Sequence, residues 1–328
     1  MATRSSRPDL VLAVDLGGTK ITVGLVDRCG TLHAESHTGP TPAQQGPEAV
    51  LDAVASLAGY VIANAPGPVV GVGVGAAGVI DPTRGLVVSS TDAFRDWPGT
   101  DIQRGLGRRL GRPVVVVNDV TAHATGESWR GAGRGATLML MITVGTGVGA
   151  AIAIDGRVLS GRHHMSGEIG HAPVRGADHL RCGCGRYGHL EAIASGPALV
   201  RHHQALGGAP RPDARAVIAD AERGDALATR AVTDAARALG TALAAAATTL
   251  DPDVIVLGGG LTGAGPLWWD TVERSLRAEL VEPLADVPLR RSDLGPDAAL
   301  VGAARLAWND LADIAPDDPI ARFLGEAR

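Results

Sequence analysis

The chain repeats one pattern. Residues 10–15 form a short apolar run that enters Gly17-Gly18-Thr19, and residues 21–26 run on to Asp27. Residues 138–144 enter Gly145-Thr146-Gly147 in the same way, and residues 148–154 run on to Asp155. Gly17 and Gly145, Asp27 and Asp155, Leu12 and Leu140, and Val26 and Ile154 each stand 128 positions apart. Each copy reads as two strands around a glycine turn. The constant offset reads as one α/β unit duplicated. At 328 residues the chain is long enough for two units, each with its own core.

Further strands and helices fall between and after the copies. Residues 69–77 read as a β-branched, Gly-rich strand after the turn Pro66-Gly67-Pro68. Residues 113–117 carry four valines, the pattern of a strand covered on both faces. That strand ends at Asn118-Asp119, and a helix is expected from about Thr121. Residues 161–188 read as loop, rich in Gly, His and Arg. Helical patterns cover 192–203, interrupted at Gly196-Pro197, and 213–249. Residues 254–257 read as a buried strand stopped by Gly258-Gly259-Gly260, with helices at 267–280 and 297–311.

Composition narrows the function classes. Hydrophobic content of 45% and charged content of 20% suit a soluble globular chain. A net charge of −5 gives no basic face, so nucleic acid is not an expected partner. Of the 30 basic residues only Lys20 is a lysine, and it stands at the first glycine turn. Cys29, Cys182 and Cys184 are an odd set with two of them close together, which suits a reducing compartment and a metal better than disulfides. The opening MATRSSRPDL has no apolar signal region, and the apolar run 242–247 is too short to span a bilayer. The expectation is a cytoplasmic protein with no membrane partner.

Three glycine turns follow three apolar strands. Glycine lets backbone N–H groups close on a phosphate with no Cβ in the way. Thr19 and Thr146 could donate hydroxyls, and Lys20 could add charge. No GxxxxGK[ST] loop occurs. Residues 73–78 fit GxGxxG by letters, but Val79-Ile80-Asp81-Pro82 follows and cannot open a helix. Each turn alone reads equally as a tight hairpin, whereas three with a duplication favour a nucleotide site. Asp119, at the end of a buried strand, stands where open α/β sheets place ligands. It could accept a proton from an attacking hydroxyl, or it could simply cap the next helix. His171, Cys182, Cys184 and His189 suit a tetrahedral zinc site; the alternative is a Gly-rich loop with a spare thiol pair. Glu168 and Glu191 flank that cluster, either as hydrogen-bonding partners for sugar hydroxyls or as solvated surface glutamates.

Taken together, these segments resemble the ROK family of repressors and sugar kinases. The phosphate motif DLGGTK matches at Asp15 to Lys20, and the ND motif at Asn118-Asp119. The second phosphate loop matches at Val144 to Gly149, ExGH at Glu168 to His171, and CxCGxxGCxE at Cys182 to Glu191 with one departure. The departure is His189, where the family usually has a third cysteine. The resemblance implies an α/β, two-lobed actin-like (ribonuclease H-like) fold with ATP and sugar in a cleft. The lobes would be residues 8–121 with a C-terminal helix at about 303–328, and residues 122–302. Asp119 would be the general base. Gly78, Thr91, Asn118, Asp119, Glu168, His171 and Glu191 would meet the sugar. Asp15, Gly17, Gly18, Thr19, Lys20, Gly145, Thr146, Gly147, Gly258, Gly259 and Gly260 would meet ATP with Mg²⁺. A structural Zn²⁺ would sit on His171, Cys182, Cys184 and His189. A homodimer or homotetramer is implied as well.

The segment from Ser90 to Trp97 stands where the family's glucokinases carry a Pro-Asn pair before a Trp. Ser90-Thr91 looks closer to N-acetylmannosamine kinases, while Val79 stands where those have Arg. Hexose, aminohexose and cyclitol therefore all remain as substrates. The rival class is a non-catalytic sugar-binding regulator. Repressors of the family carry an N-terminal helix-turn-helix module, and about ten residues before the first strand are too few for one.

Overall fold

The computed structural model describes residues 8–91 and 93–311. They divide into two compact units. The first takes the described residues up to Gly135, with Ile154–Met165 and those from Pro296 onward; the second takes Ala136–Ala153 and Ser166–Gly295.

In the first unit, β1 (Leu10–Leu16) and β2 (Lys20–Asp27) form the antiparallel hairpin expected at the first glycine turn. β3 (Leu32–Pro40) extends it, and β4 (Val69–Ala76) and β7 (Val114–Asn118) run parallel to β1 and to each other. The order is β3-β2-β1-β4-β7, with a small separate pair from β5 (Val79–Asp81) and β6 (Leu86–Ser89). A short β10 (Arg157–Val158) also belongs to this unit.

Strand alternation sends Leu10, Leu12, Val14 and Leu16 into one core with apolar residues of α1 (Pro47–Ala63) and α2 (Ile102–Leu110). Val11 and Ala13 join Leu300, Ala304 and Trp308 of α9 (Ala298–Leu311). α3 (Asp119–Arg130) packs on α9 through Gly126 and Gly302. A Cβ at Gly302 would overlap the Ala122 carbonyl oxygen, and one at Gly126 the Ala298 carbonyl oxygen. A Cβ at Gly73 would overlap Ala303 in the same way. The GxGxxG lettering at 73–78 therefore includes a helix-docking glycine on β4. Gly302→Ala should lower stability by about 1–3 kcal/mol through overpacking against rigid backbone. The check is a lower urea midpoint with unchanged far-UV circular dichroism.

In the second unit, β8 (Leu138–Val144), β9 (Val148–Ile154), β11 (Val254–Gly258) and β12 (Leu289–Arg291) run in the order β9-β8-β11-β12. β8, β11 and β12 are parallel. The order repeats β2-β1-β4-β7 of the first unit, so the duplication read from spacing is a repeat of topology. The helices are α4 (Glu191–Ala194), α5 (Gly196–Ala205), α6 (Ala214–Glu222), α7 (Ala226–Leu250) and α8 (Gly265–Glu279).

Two expectations change. The helical stretch 213–249 is two helices, because Gly224 takes a φ of +90° and Asp225 caps α7 through Ala228 N–H at 2.7 Å. The C-terminal helix expected at 303–328 begins at Ala298; residues 312–328 lie outside those described.

Candidate active site

In the first unit the expected residues gather at the carboxyl ends of the parallel strands. Register aligns Asp15 of β1 with Gly75 of β4, and Ala76 with Asn118 of β7. A Cβ at Gly75 would meet the Ala122 Cβ at 2.9 Å, so its absence lets the first turn of α3 settle over β4. The capping question resolves in favour of Asn118. Its Oδ1 accepts from the Val120 and Thr121 N–H groups at 2.9 and 3.1 Å. Its Nδ2 donates to the Gly78 carbonyl and to Asp119 Oδ1, both at 2.9 Å. Asp119 Oδ1 also accepts from its neighbour Val120 N–H at 3.0 Å. Asn118 thus uses both donors and both acceptor sites to fix its neighbours. Gly78 is needed for its φ of +110° and because a Cβ would meet Ser89 O at 2.9 Å.

The first glycine turn lies beside the 90–97 segment. Thr41 holds it, donating Oγ1 to Gly17 O at 2.7 Å and its N–H to Thr19 O at 3.1 Å. Gly18 faces Ala93 and Phe94. Phe94 stacks on Trp97 at 4.7 Å, and the buried Trp97 donates to Ala77 O at 3.0 Å. Thr19, Lys20 and Thr91 are exposed. Burial raises the Asp15 carboxyl above its usual range, partly offset by His123 and Lys20. His123 is not among the residues expected from the sequence, although its i, i+4 spacing from Asp119 on α3 puts the two on one helix face.

In the second unit the two later glycine turns meet. Gly145 N–H donates to Gly147 O at 2.9 Å, and Gly196 N–H to Gly145 O at 2.8 Å. A Cβ at Gly259 would meet the Val144 backbone at 2.5 Å, and one at Gly145 would lie 3.7 Å from Gly260 N. Gly258 ends β11 in register with Thr143. Gly196 is a missed member, because Gly196-Pro197 reads in sequence only as a break. In the structure that pair opens α5, with Pro at a position that needs no N–H.

Val148, the residue after the second turn, ties in the Glu-rich block. Its N–H donates to Glu191 Oε2 at 3.0 Å. A Cβ at Gly147 would meet that same oxygen at 2.7 Å, and one at Gly170 would overlap Val148 O. Glu168, His171 and Glu191 are all half-buried, and Glu168 feels the charge of the other two. Burial raises the Glu168 carboxyl, with His171 opposing and Glu191 adding. The folded state then holds that proton longer than the unfolded chain, so stability falls as pH rises through the raised value. Glu168→Gln should raise the melting temperature at pH 7, with the gain gone below about pH 4. Thermal melts at both pH values check this; an equal gain at both would refute it.

Ligand atoms of His171, Cys182, Cys184 and His189 all lie within 4.8 Å of one another. Cys182 Sγ is 3.6 Å from His171 Nδ1, and Cys184 Sγ is 3.3 Å from His189 Nδ1. Tetrahedral bonds of ordinary zinc length imply ligand–ligand spacings of about 3.5 Å, so the four donors fit such an ion. Both histidines bring the ring nitrogen nearer the backbone, which lets His189 stand in for a cysteine. Burial pushes the Cys182 thiol up to about 11, opposed by the Cys184 backbone N–H and helped by the Cys184 side chain and Glu191. A bound dication would reverse that. His163, His164 and His179 are not part of the cluster; His164 instead contacts Ser160 at 2.9 Å.

The ROK family sequence profile matches residues 11–310. This chain belongs to the ROK family. It is 36% identical to a glucokinase of Streptomyces coelicolor over 319 residues, covering 91% of this chain and 97% of that protein. It is 33% identical to an N-acetylmannosamine kinase of Shigella flexneri over 304 residues, covering 92% and 99%. The crystal structure of a ROK glucokinase from Streptomyces griseus with glucose and AMPPNP matches with a TM-score of 0.80 at 33% identity, covering 92% and 99%. The ROK fold is the actin-like α/β type, and this chain has it. His189 gives this ROK chain two sulfur and two nitrogen donors in its Cys/His cluster.

Proposed function

We propose that this ROK chain transfers the γ-phosphoryl group of ATP to the 6-hydroxyl of a hexose or hexosamine. The observation that carries the reading is Asp119. Its carboxylate stands at the end of a parallel strand, and Asn118 performs the capping that would otherwise explain it.

Asp119 takes the proton as the sugar oxygen attacks phosphorus. Glu168, His171 and Glu191 hydrogen-bond sugar hydroxyls, with Gly78 and Thr91 supplying further contacts. Asn118 orients Asp119 and reaches the sugar only by exchanging one of its present bonds. N–H groups of Gly145–Gly147 and Gly258–Gly260 cradle the phosphates, and Asp15 to Lys20 serve the same ligand. Mg²⁺, when bound with ATP, neutralises charge on the transferring group. Zn²⁺ on His171, Cys182, Cys184 and His189 would act structurally, fixing the loop that presents His171 and Glu191.

The second reading keeps the chemistry and changes the acceptor to N-acetylmannosamine, another aminohexose or a cyclitol. It rests on Ser90-Thr91, which come shortly before Phe94 and Trp97 in the sequence. We take the two compact units as the kinase lobes, working in the cytoplasm as a homodimer or homotetramer. Small molecules, not nucleic acid or membrane, are the partners in this reading. No helix among the described residues is long and apolar enough to cross a membrane.

A coupled ADP-release assay over glucose, mannose, N-acetylglucosamine, N-acetylmannosamine, aminohexoses and cyclitols tests both readings. Turnover on one of them identifies the acceptor. Intact sugar binding with no turnover on any would favour the regulator class instead.

A further inference from the structure

We propose that Trp269 and Arg291 form the platform for the nucleotide's purine base. This rests on the reading of the second and third glycine turns as the triphosphate site.

The argument begins with strand order. β8, β11 and β12 are neighbours and parallel, so their carboxyl ends lie along one edge of the sheet. The second glycine turn leaves β8, the third leaves β11, and Arg291 ends β12. Leu257 pairs with Arg291, and Ser292 N–H donates to Leu257 O at 2.8 Å, which places Arg291 next to Gly258. Adjacent strands stand about 4.8 Å apart, so the step from β8 to β12 is roughly 10 Å. That is the scale on which a triphosphate and ribose extend before the base. A nucleotide with its phosphates at Gly145–Gly147 and its sugar at the third turn reaches Arg291 next.

The second part is the surface found there. Trp269 lies in the second turn of α8, and helical side chains lean back toward the helix N-terminus. Its Nε1 donates to Thr262 O at 2.8 Å, within the short turn that begins at Gly260. The indole is thereby locked beside the third glycine turn. Its neighbour Trp268 is buried in the core, at 1% exposure, whereas Trp269 is only partly covered. The Arg291 guanidinium lies 4.3 Å over the Trp269 ring. Arg291 is exposed and forms no ion pair with an acidic side chain among the described residues. A core role does not explain a half-covered indole carrying an exposed guanidinium. A planar, layered cation–indole pair is suited to stacking a flat heterocycle.

The test is calorimetric titration of the full chain with the non-hydrolysable analogue adenylyl imidodiphosphate, and separately with inorganic triphosphate, which has no base. Trp269→Leu should weaken the analogue about ten- to a hundredfold, the range expected for one stacked base. Arg291→Gln should weaken it several-fold, and Trp269→Phe should recover most of the Trp269→Leu loss. Inorganic triphosphate should bind all variants as it binds the parent. Unchanged analogue affinity in Trp269→Leu and Arg291→Gln overturns the proposal. Equal losses for triphosphate overturn it too, because the turn rather than the base would then have been disturbed. Should Trp269→Leu fail to fold, the exposed Arg291→Gln decides alone. If the parent itself binds no adenine nucleotide, the ATP reading fails and takes this platform with it. Parent binding with unaffected variants removes the platform only.

Discussion

Asp119→Asn should lower kcat by about a thousandfold, within the range for loss of a general base, while sugar affinity changes little. The structure makes this substitution unusually clean. Asp119 Oδ1 accepts from Asn118 Nδ2 and Val120 N–H. An asparagine carboxamide oxygen can accept both, so the helix start and the backbone around it are kept. What is lost is proton affinity, since an amide does not take up a proton at neutral pH. The cap itself belongs to Asn118 and is not touched. The measurement pairs steady-state turnover with calorimetric sugar binding. Retention of a tenth or more of parent kcat would remove Asp119 as the base. A matched fall in sugar affinity would make it a binding residue instead.

Cys182→Ser should empty the metal site and weaken sugar binding together. Cys182 is the buried member of the cluster, and its Sγ lies 3.6 Å from His171 Nδ1 and 3.9 Å from Glu191 Oε1. A serine hydroxyl stays protonated at neutral pH and is a poor zinc ligand beside a thiolate. Without the ion, His171 and the loop that leads to Glu191 lose their common anchor. Zinc by atomic absorption should fall from about one ion per chain to a small fraction, the occupancy a single tetrahedral site requires. Sugar Kd should rise about ten- to a hundredfold, the scale seen when groups orienting a site are removed. Cys29→Ser is the control, since Cys29 is exposed and outside the cluster. Parent-like zinc and parent-like sugar affinity in Cys182→Ser would refute the structural-metal reading.

The chemistry was more legible in the sequence than the frame that holds it. Glycine turns, the Asn118-Asp119 pair and the Cys/His block are short, and their residue types cannot easily do anything else together. All four expected Cys and His donors come together, although they are spread over nineteen positions from His171 to His189. The apolar runs of β1 and β7 are readable because burial on both faces leaves polar residues only at their carboxyl ends, Asp15 and Asn118. α1 was missed, although Pro47 stands in its first turn, because its face is written in alanine and valine, which carry little helical contrast. β3 was missed because it is largely exposed and polar, and its pairing with β2 is set by backbone bonds. The docking glycines 73, 126 and 302 gave no local signal. What forbids a side chain there is another segment far away in sequence, visible only once α3, α9 and β4 are packed. His123 and Gly196 differ in carrying a local mark, a helical spacing and a Gly-Pro break, but the partners that give them a place, Asp15 and Gly145, are neighbours only in space.

The position of Val148 limits how this protein's substrate range can evolve. Its N–H is held by Glu191 and its carbonyl is roofed by Gly170, while the second glycine turn ends one residue earlier, at Gly147. If Glu191 meets the acceptor as proposed, a change there that suited a different sugar would also loosen the peptide group that follows the second glycine turn. Selection for a new sugar would then be opposed by poorer use of the phosphoryl donor. Ser90 and Thr91 stand outside that link, and the nearby Phe94–Trp97 stack is anchored through Trp97 to Ala77 O without either of them. Drift in acceptor preference should therefore accumulate in that short stretch, and Glu191 should remain the slowest position to change.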